Sequence, residues 1–274
     1  RELGVAMSLH VELVPLLQRE RELYSVPRGR ERFDAYIKAM TMDTGEAALP
    51  LTTLNPMGRE HVAEMLDRMI ALGVEDAAAE ACADAQRRLA NVDDSVRVAI
   101  ALADDLKGGW TNRYFTEMAN RFERKYEVAR GWATVLFWTS ESSFDKLGML
   151  EQARSATLGA IYRTLYERTH GAAKSLRAMM EQEGRAARFA GGSVSLDAAT
   201  VRHARATVGA HLESTAYPVV VAALYGDEAA RSLGYPPLGL PERAGYTVAL
   251  ADALEEEKGR YAQGERDIIA KNGA

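Results

Sequence analysis

Three carboxylates carry the densest chemistry in this chain. Asp104 and Asp105 are adjacent, and Glu141 follows 36 positions after Asp105 in a polar run, Ser140-Glu141-Ser142-Ser143. Carboxylates gathered at one place can do general acid–base work, or can hold Mg²⁺ together with phosphate oxygens and water. Around the paired acids the sequence reads Ala103-Asp104-Asp105-Leu106-Lys107-Gly108-Gly109-Trp110-Thr111-Asn112-Arg113-Tyr114. Gly108 and Gly109 precede a helical pattern, so their backbone N–H groups can approach a ligand closely, and a helix N-terminus favours an anion. Lys107 and Arg113 add positive charge for the same anion. Trp110, Asn112 and Tyr114 are placed to line a pocket, the two aromatic rings by stacking on a flat organic ligand. The same helix offers Asn120, Arg121 and Glu123.

These residues need elements to bring them together. Residues 96–102 (VRVAIAL) are short, mostly apolar and partly β-branched, which reads as a strand, with a buried helix turn as the alternative. Residues 132–139 (WATVLFWT) read as a second strand, and a helix over 111–130 lies between. That is the βαβ pattern, whose strands are parallel when they share a sheet. In open α/β sheets ligands sit beyond the carboxyl ends of the strands. A parallel pairing therefore sends Asp104, Asp105 and Glu141 to one edge. An antiparallel pairing separates them. All three tryptophans and five more of the 20 aromatic residues fall between 110 and 138. That clustering fits a pocket, and it fits equally a core built from Phe115, Met118, Phe122 and Tyr126 against Trp132 and Phe137.

The rest of the chain reads as helices. Pro15 suits the first turn of a helix running to Tyr24, and a second is expected over 29–42. Asn55-Pro56 has the form of a helix start, N-cap followed by first-turn proline. Val62, Met65, Leu66, Met69 and Ile70 carry the amphipathic spacing, and Gly73 ends that helix. An alanine-rich helix covers 75–90 and holds the single cysteine, Cys82, on its apolar face. Helices follow over 147–169 and 172–183, then after the cap Asp197. Residues 219–225 form a short apolar helix or a third strand. Tyr235 to Pro241 is a proline- and glycine-rich loop. The last helix starts at Pro241 and runs to about Lys258, with 259–274 as a polar, frayed tail. The expected fold is mainly α, a multi-helix single domain over 1–258 with a small β element around 95–140.

Composition narrows the classes. A chain of 274 residues with 47% hydrophobic and 27% charged side chains can bury a core without disulfide or structural metal. Its 34 basic and 39 acidic residues are interspersed, leaving a net charge of −5, so no nucleic-acid partner is expected. No apolar run approaches the length of a membrane helix. One cysteine permits no internal disulfide and fits the cytoplasm. His61, His170, His203 and His211 are scattered at spacings that suit structural or surface roles. Fingerprints of zinc proteases, phosphate loops, dinucleotide folds and nucleophile elbows are absent. Two readings of function remain. The first is a soluble enzyme acting on a small anionic or phosphorylated organic molecule, by hydrolysis or group transfer, with a divalent metal such as Mg²⁺ as an optional cofactor. The second is a non-catalytic helical binding or scaffold protein that forms a homo-oligomer.

Overall fold

A computed structural model describes residues 8–42, 48–106, 111–123, 131–143 and 145–272, with the side chains of 142, 143 and 259–272 outside the description. The protein is mainly α-helical with a small parallel sheet, as its periodicity predicts. It divides into two compact units, residues 1–170 and 171–274, each described by itself.

The first unit holds three strands and six helices among the described residues: β1 His10–Leu13, α1 Leu17–Leu23, α2 Arg30–Thr41, α3 Glu60–Leu72, α4 Val74–Arg88, β2 Ser95–Ala103, α5 Arg113–Phe122, β3 Trp132–Trp138 and α6 Lys146–His170. A 3₁₀ turn over Thr139–Ser143 links β3 to α6. The strand order is β1-β2-β3, and both pairings are parallel. Arg97 pairs with Trp132 and Ala103 with Trp138, so β2 and β3 end level with each other.

The central strand explains itself. From Val98 to Ala103 every residue of β2 is fully buried, the continuous apolar run expected of a parallel strand covered on both faces. Residues 219–225 take the helical of their two expected forms, and a third strand, not expected from the sequence, lies at His10–Leu13. Four residues with one buried side chain leave too little periodicity to mark an edge strand.

Alanines in α4 allow close helix packing. Ala77, Ala78, Ala81, Cys82 and Ala85 are buried, and α4 packs on α6 and β1. Burial pushes the Cys82 thiol up to about 12, which leaves it an inert apolar filler. Gly73, at φ 74°, closes α3 in the left-handed conformation that glycine adopts without strain.

Two boundaries differ from expectation. Helix α3 begins at Glu60, not at Pro56, because residues 55–58 form a turn in which Gly58 N–H donates to Asn55 O at 3.0 Å. Helix α5 is described only to Phe122, and residues 124–130 lie outside the described residues.

The second unit is all helical among its described residues: α7 Leu176–Phe189, α8 Ala198–Gly209, α9 Tyr217–Tyr225, α10 Asp227–Ser232 and α11 Ala244–Asn272. The backbone of α11 continues past the expected end near Lys258. Helices α7, α8 and α9 each pack on α11. Asp227 organises the proline-rich loop. Its Oδ1 accepts N–H bonds from Leu238, Gly239 and Leu240 at 2.9, 3.0 and 3.0 Å. Burial opposes that charge, but these bonds and Arg231 hold the carboxyl below the usual carboxylate range. No described helix is long and apolar enough to cross a membrane.

Candidate functional site at the carboxyl edge of the sheet

Because β2 and β3 are parallel and end level, the residues that follow them emerge side by side. Asp104 and Asp105 follow β2; Thr139, Ser140 and Glu141 follow β3. Thr139 ties the two acids together, with its hydroxyl 2.9 Å from Asp104 Oδ1 and 3.3 Å from Asp105 Oδ1. Ser140 donates to Asp105 from its backbone N–H at 3.0 Å and from its hydroxyl at 2.7 Å.

Asp104 is 1% exposed. A buried carboxylate needs several donors to offset lost hydration. Asn55 Nδ2 donates to Oδ2 at 2.8 Å, and Leu106 N–H donates to Oδ1 at 3.3 Å. His61 Nε2 lies 3.0 Å from Oδ1. Burial alone raises this carboxyl, but the bonds from His61, Asn55 and Thr139 outweigh it and hold the group below the usual carboxylate range.

Arg113 stands over this edge from the first turn of α5. Its Nη2 is 2.7 Å from Glu141 Oε1, its Nε 3.0 Å from Glu117 Oε1, and its Nη1 3.5 Å from Asp105 Oδ2. The guanidinium also donates to Ser140 Oγ at 3.2 Å and sits 5.2 Å from the Trp138 ring centroid. Desolvation works against its charge, yet Glu117 and Glu141 raise the pKa above the ordinary arginine value. Glu141 has its second oxygen engaged too, by Gln152 Nε2 at 2.8 Å and Trp138 N–H at 3.3 Å.

The remaining expected site residues divide. Asn112 uses its side-chain oxygen to cap α5, accepting from Tyr114 N–H at 3.0 Å and Phe115 N–H at 3.2 Å. Tyr114 is half-buried in the first turn of that helix. Lys107, Gly108, Gly109 and Trp110 lie outside the described residues. Asp104, Asp105, Glu141 and Arg113 are thus brought together. Among the described residues no group of three or more His, Cys, Asp and Glu side chains could hold a metal ion.

The sequence reading missed His61, Asn55, Thr139 and Ser140 as members of this edge. Asn55 is held by a small framework of its own. The Tyr24 hydroxyl donates to the Asn55 carbonyl. Arg32 lies 5.0 Å from the Tyr24 ring centroid and donates to Val26 O at 2.8 Å and Gly58 O at 3.2 Å. Gly58 leaves little room here, since a Cβ would fall 2.6 Å from Val62 Cγ2 and 2.9 Å from the Tyr24 hydroxyl, so one of them would have to shift. The turn 55–58 therefore presents the Asn55 amide to Asp104 from a fixed position. The only signal in the sequence was the crowding of Asn55, Pro56, Gly58 and His61, which has the same form as a helix start.

No family model, no curated protein and no solved structure matches this chain. The functional reading therefore rests on the chemistry of the edge itself.

Proposed function

We propose that the carboxyl edge of β2 and β3 is the active site of a cytoplasmic enzyme that acts on a small polar organic molecule by acid–base chemistry, in hydrolysis or group transfer. The observation that supports this reading is the convergence of Asp104, Asp105 and Glu141 at adjacent strand ends, with Arg113 bridging the last two. A fold seldom gathers buried carboxylates at the mouth of a parallel sheet for stability alone, because desolvating charges costs free energy.

The charge balance refines the substrate. Asp105, Glu117 and Glu141 face Arg113, with Arg121 Nε 3.9 Å from Glu117, while Asp104 faces His61. Arg113 is already occupied by acids, so the anion-holding role expected of it has little free capacity. A ligand that offers hydroxyl or amine donors suits these acceptors better than a phosphate.

Thermal-shift measurements test the reading, because a ligand of the folded state stabilises by mass action, about 2.7 kcal/mol at a hundred times its Kd. The probes are polyols, amino alcohols and amino acids in one set, sugar phosphates and small carboxylic acids in a second, and MgCl₂ alone. A probe of the first set is expected to raise Tm by several degrees, and Asp105→Asn to abolish the shift while Glu213→Gln preserves it. Shifts from the second set would restore the anionic substrate class. No shift from any probe, with a homo-oligomer in solution, would support a non-catalytic scaffold instead.

A further inference from the structure

We infer that His61 is the proton-transfer group of this edge and that Asp104 is the residue that orients it. The inference rests on the reading of the edge as an active site, and it adds a residue that the carboxylates alone do not supply. His61 lies on the first turn of α3, 43 positions before Asp104 in the chain. Its side chain is 32% exposed, while that of Asp104 is 1% exposed. One ring nitrogen is thus anchored inside and the ring still reaches solvent.

The hydrogen bonds determine which nitrogen carries the proton. Asn55 Nδ2 and Leu106 N–H can only donate, so Asp104 acts as acceptor toward both. The Thr139 hydroxyl adds another donor at 2.9 Å. A carboxylate so surrounded has no proton to give, and His61 Nε2 must therefore be the N–H partner in their 3.0 Å contact. In the neutral ring this leaves the lone pair on Nδ1. Among the described residues Asp104 is the one partner of His61, and Nδ1 has none there.

A buried carboxylate behind one imidazole nitrogen, with the other nitrogen open, is the arrangement that prepares a general base. The step balances simply. Nδ1 takes the proton from a substrate hydroxyl, a substrate amine or a water as that oxygen or nitrogen forms its new bond. The resulting imidazolium holds one N–H against Asp104 and returns the other proton to the departing group. Nothing is oxidised or reduced.

Two measurements test the inference without a known substrate. The first is ¹⁵N-resolved NMR of the imidazole groups in the intact chain, which reads the tautomer of His61 directly. The Nε2–H form is expected to dominate, and a dominant Nδ1–H form would overturn the inference. The second is labelling by diethyl pyrocarbonate, followed by mass spectrometry at each histidine. His61 is expected to react at Nδ1, and Asp104→Asn to slow that reaction several-fold while leaving His10 and His211 unchanged. Equal labelling of His61 in the two proteins would overturn the inference. Circular dichroism confirms that the variant is folded; if it is not, the tautomer in the unmodified chain decides. These outcomes separate from those of the ligand screen. A screen without hits and an Nε2–H His61 whose labelling depends on Asp104 would sink the substrate reading and leave the dyad standing.

Discussion

The side-chain amide of Asn55 lies 2.8 Å from Oδ2 of Asp104, although 49 positions separate them in the chain. Both residues are almost completely buried, at 3% and 1% exposure. The contact joins the turn before α3 to the end of β2, so it couples the helical layer to the sheet at the candidate site.

Removing this donor leaves a buried charge short of a partner. Asn55→Ala is expected to lower stability by about 1.5–3 kcal/mol, the range for hydrogen bonds to charged groups. Urea denaturation at pH 7 measures it. The folded-state pKa of Asp104 is depressed, so its stabilising effect is present above the ordinary carboxylate range and is lost as pH falls through the folded value. The difference between Asn55→Ala and the unmodified chain should therefore shrink on acidification. A difference that grows at low pH would show that Asn55 acts elsewhere.

Arg113 holds Glu117, Glu141 and Asp105 around one guanidinium. Arg113→Met removes the common counter-charge and leaves the acids facing one another. The expected loss is about 3 kcal/mol, the low end for a broken buried pair, because the side chain is 28% exposed. Adding Glu117→Gln should recover part of that loss. A double-mutant cycle in chemical denaturation reads the coupling, and strictly additive effects would contradict it.

Glu20 is fully buried in α1. Its Oε2 accepts from Leu102 N–H at 3.2 Å, while its Oε1 has no hydrogen-bond partner among the described residues. Burial raises this carboxyl well above its ordinary value, against the backbone bond from Leu102 and with the nearby Glu75. The folded chain thus keeps the proton over a range in which the unfolded chain has lost it. In that range stability falls as pH rises toward the folded pKa. Glu20→Gln is expected to be less stable than the unmodified chain near pH 5, where the unpartnered amide is the main difference. The gap should narrow or reverse by pH 9. Parallel stability curves for the two proteins would refute the buried, protonated state.

Two glycines of the second unit should respond in opposite ways. A Cβ at Gly184 would lie 2.2 Å from the Ala249 carbonyl oxygen, so α7 and α11 must separate to accept it. Gly184→Ala is expected to cost about 1–3 kcal/mol or more through overpacking. Gly209, at the end of α8, has nothing among the described residues within 4 Å of the same position. Gly209→Ala should stabilise by about 0.5–1 kcal/mol, by restricting the unfolded chain. Thermal unfolding of the two variants, measured side by side, checks the contrast.

Local rules made much of this protein legible from its residues alone. The amphipathic spacing of Val62, Met65, Leu66 and Met69 identified α3, and the short, largely apolar run at 96–102 identified a strand, because helix and strand periodicity are properties of neighbours in the chain. The chemistry of Asp104, Asp105, Glu141 and Arg113 was visible for the same reason, since each flanks an element whose direction is readable. His61 and Asn55 were not. Their spacing to one another matches an ordinary helix start, and their role depends on Asp104, which lies 43 and 49 positions away. Strand β1 was equally hidden, because four residues become a strand only when β2 offers its free edge. The sequence by itself determined which segments are helical, which are apolar and where acids cluster, all short-range matters of side-chain type and period. Only the tertiary structure decided that Asp104 is buried against an imidazole and an amide, because burial and hydrogen-bond partnership depend on which distant segments pack together.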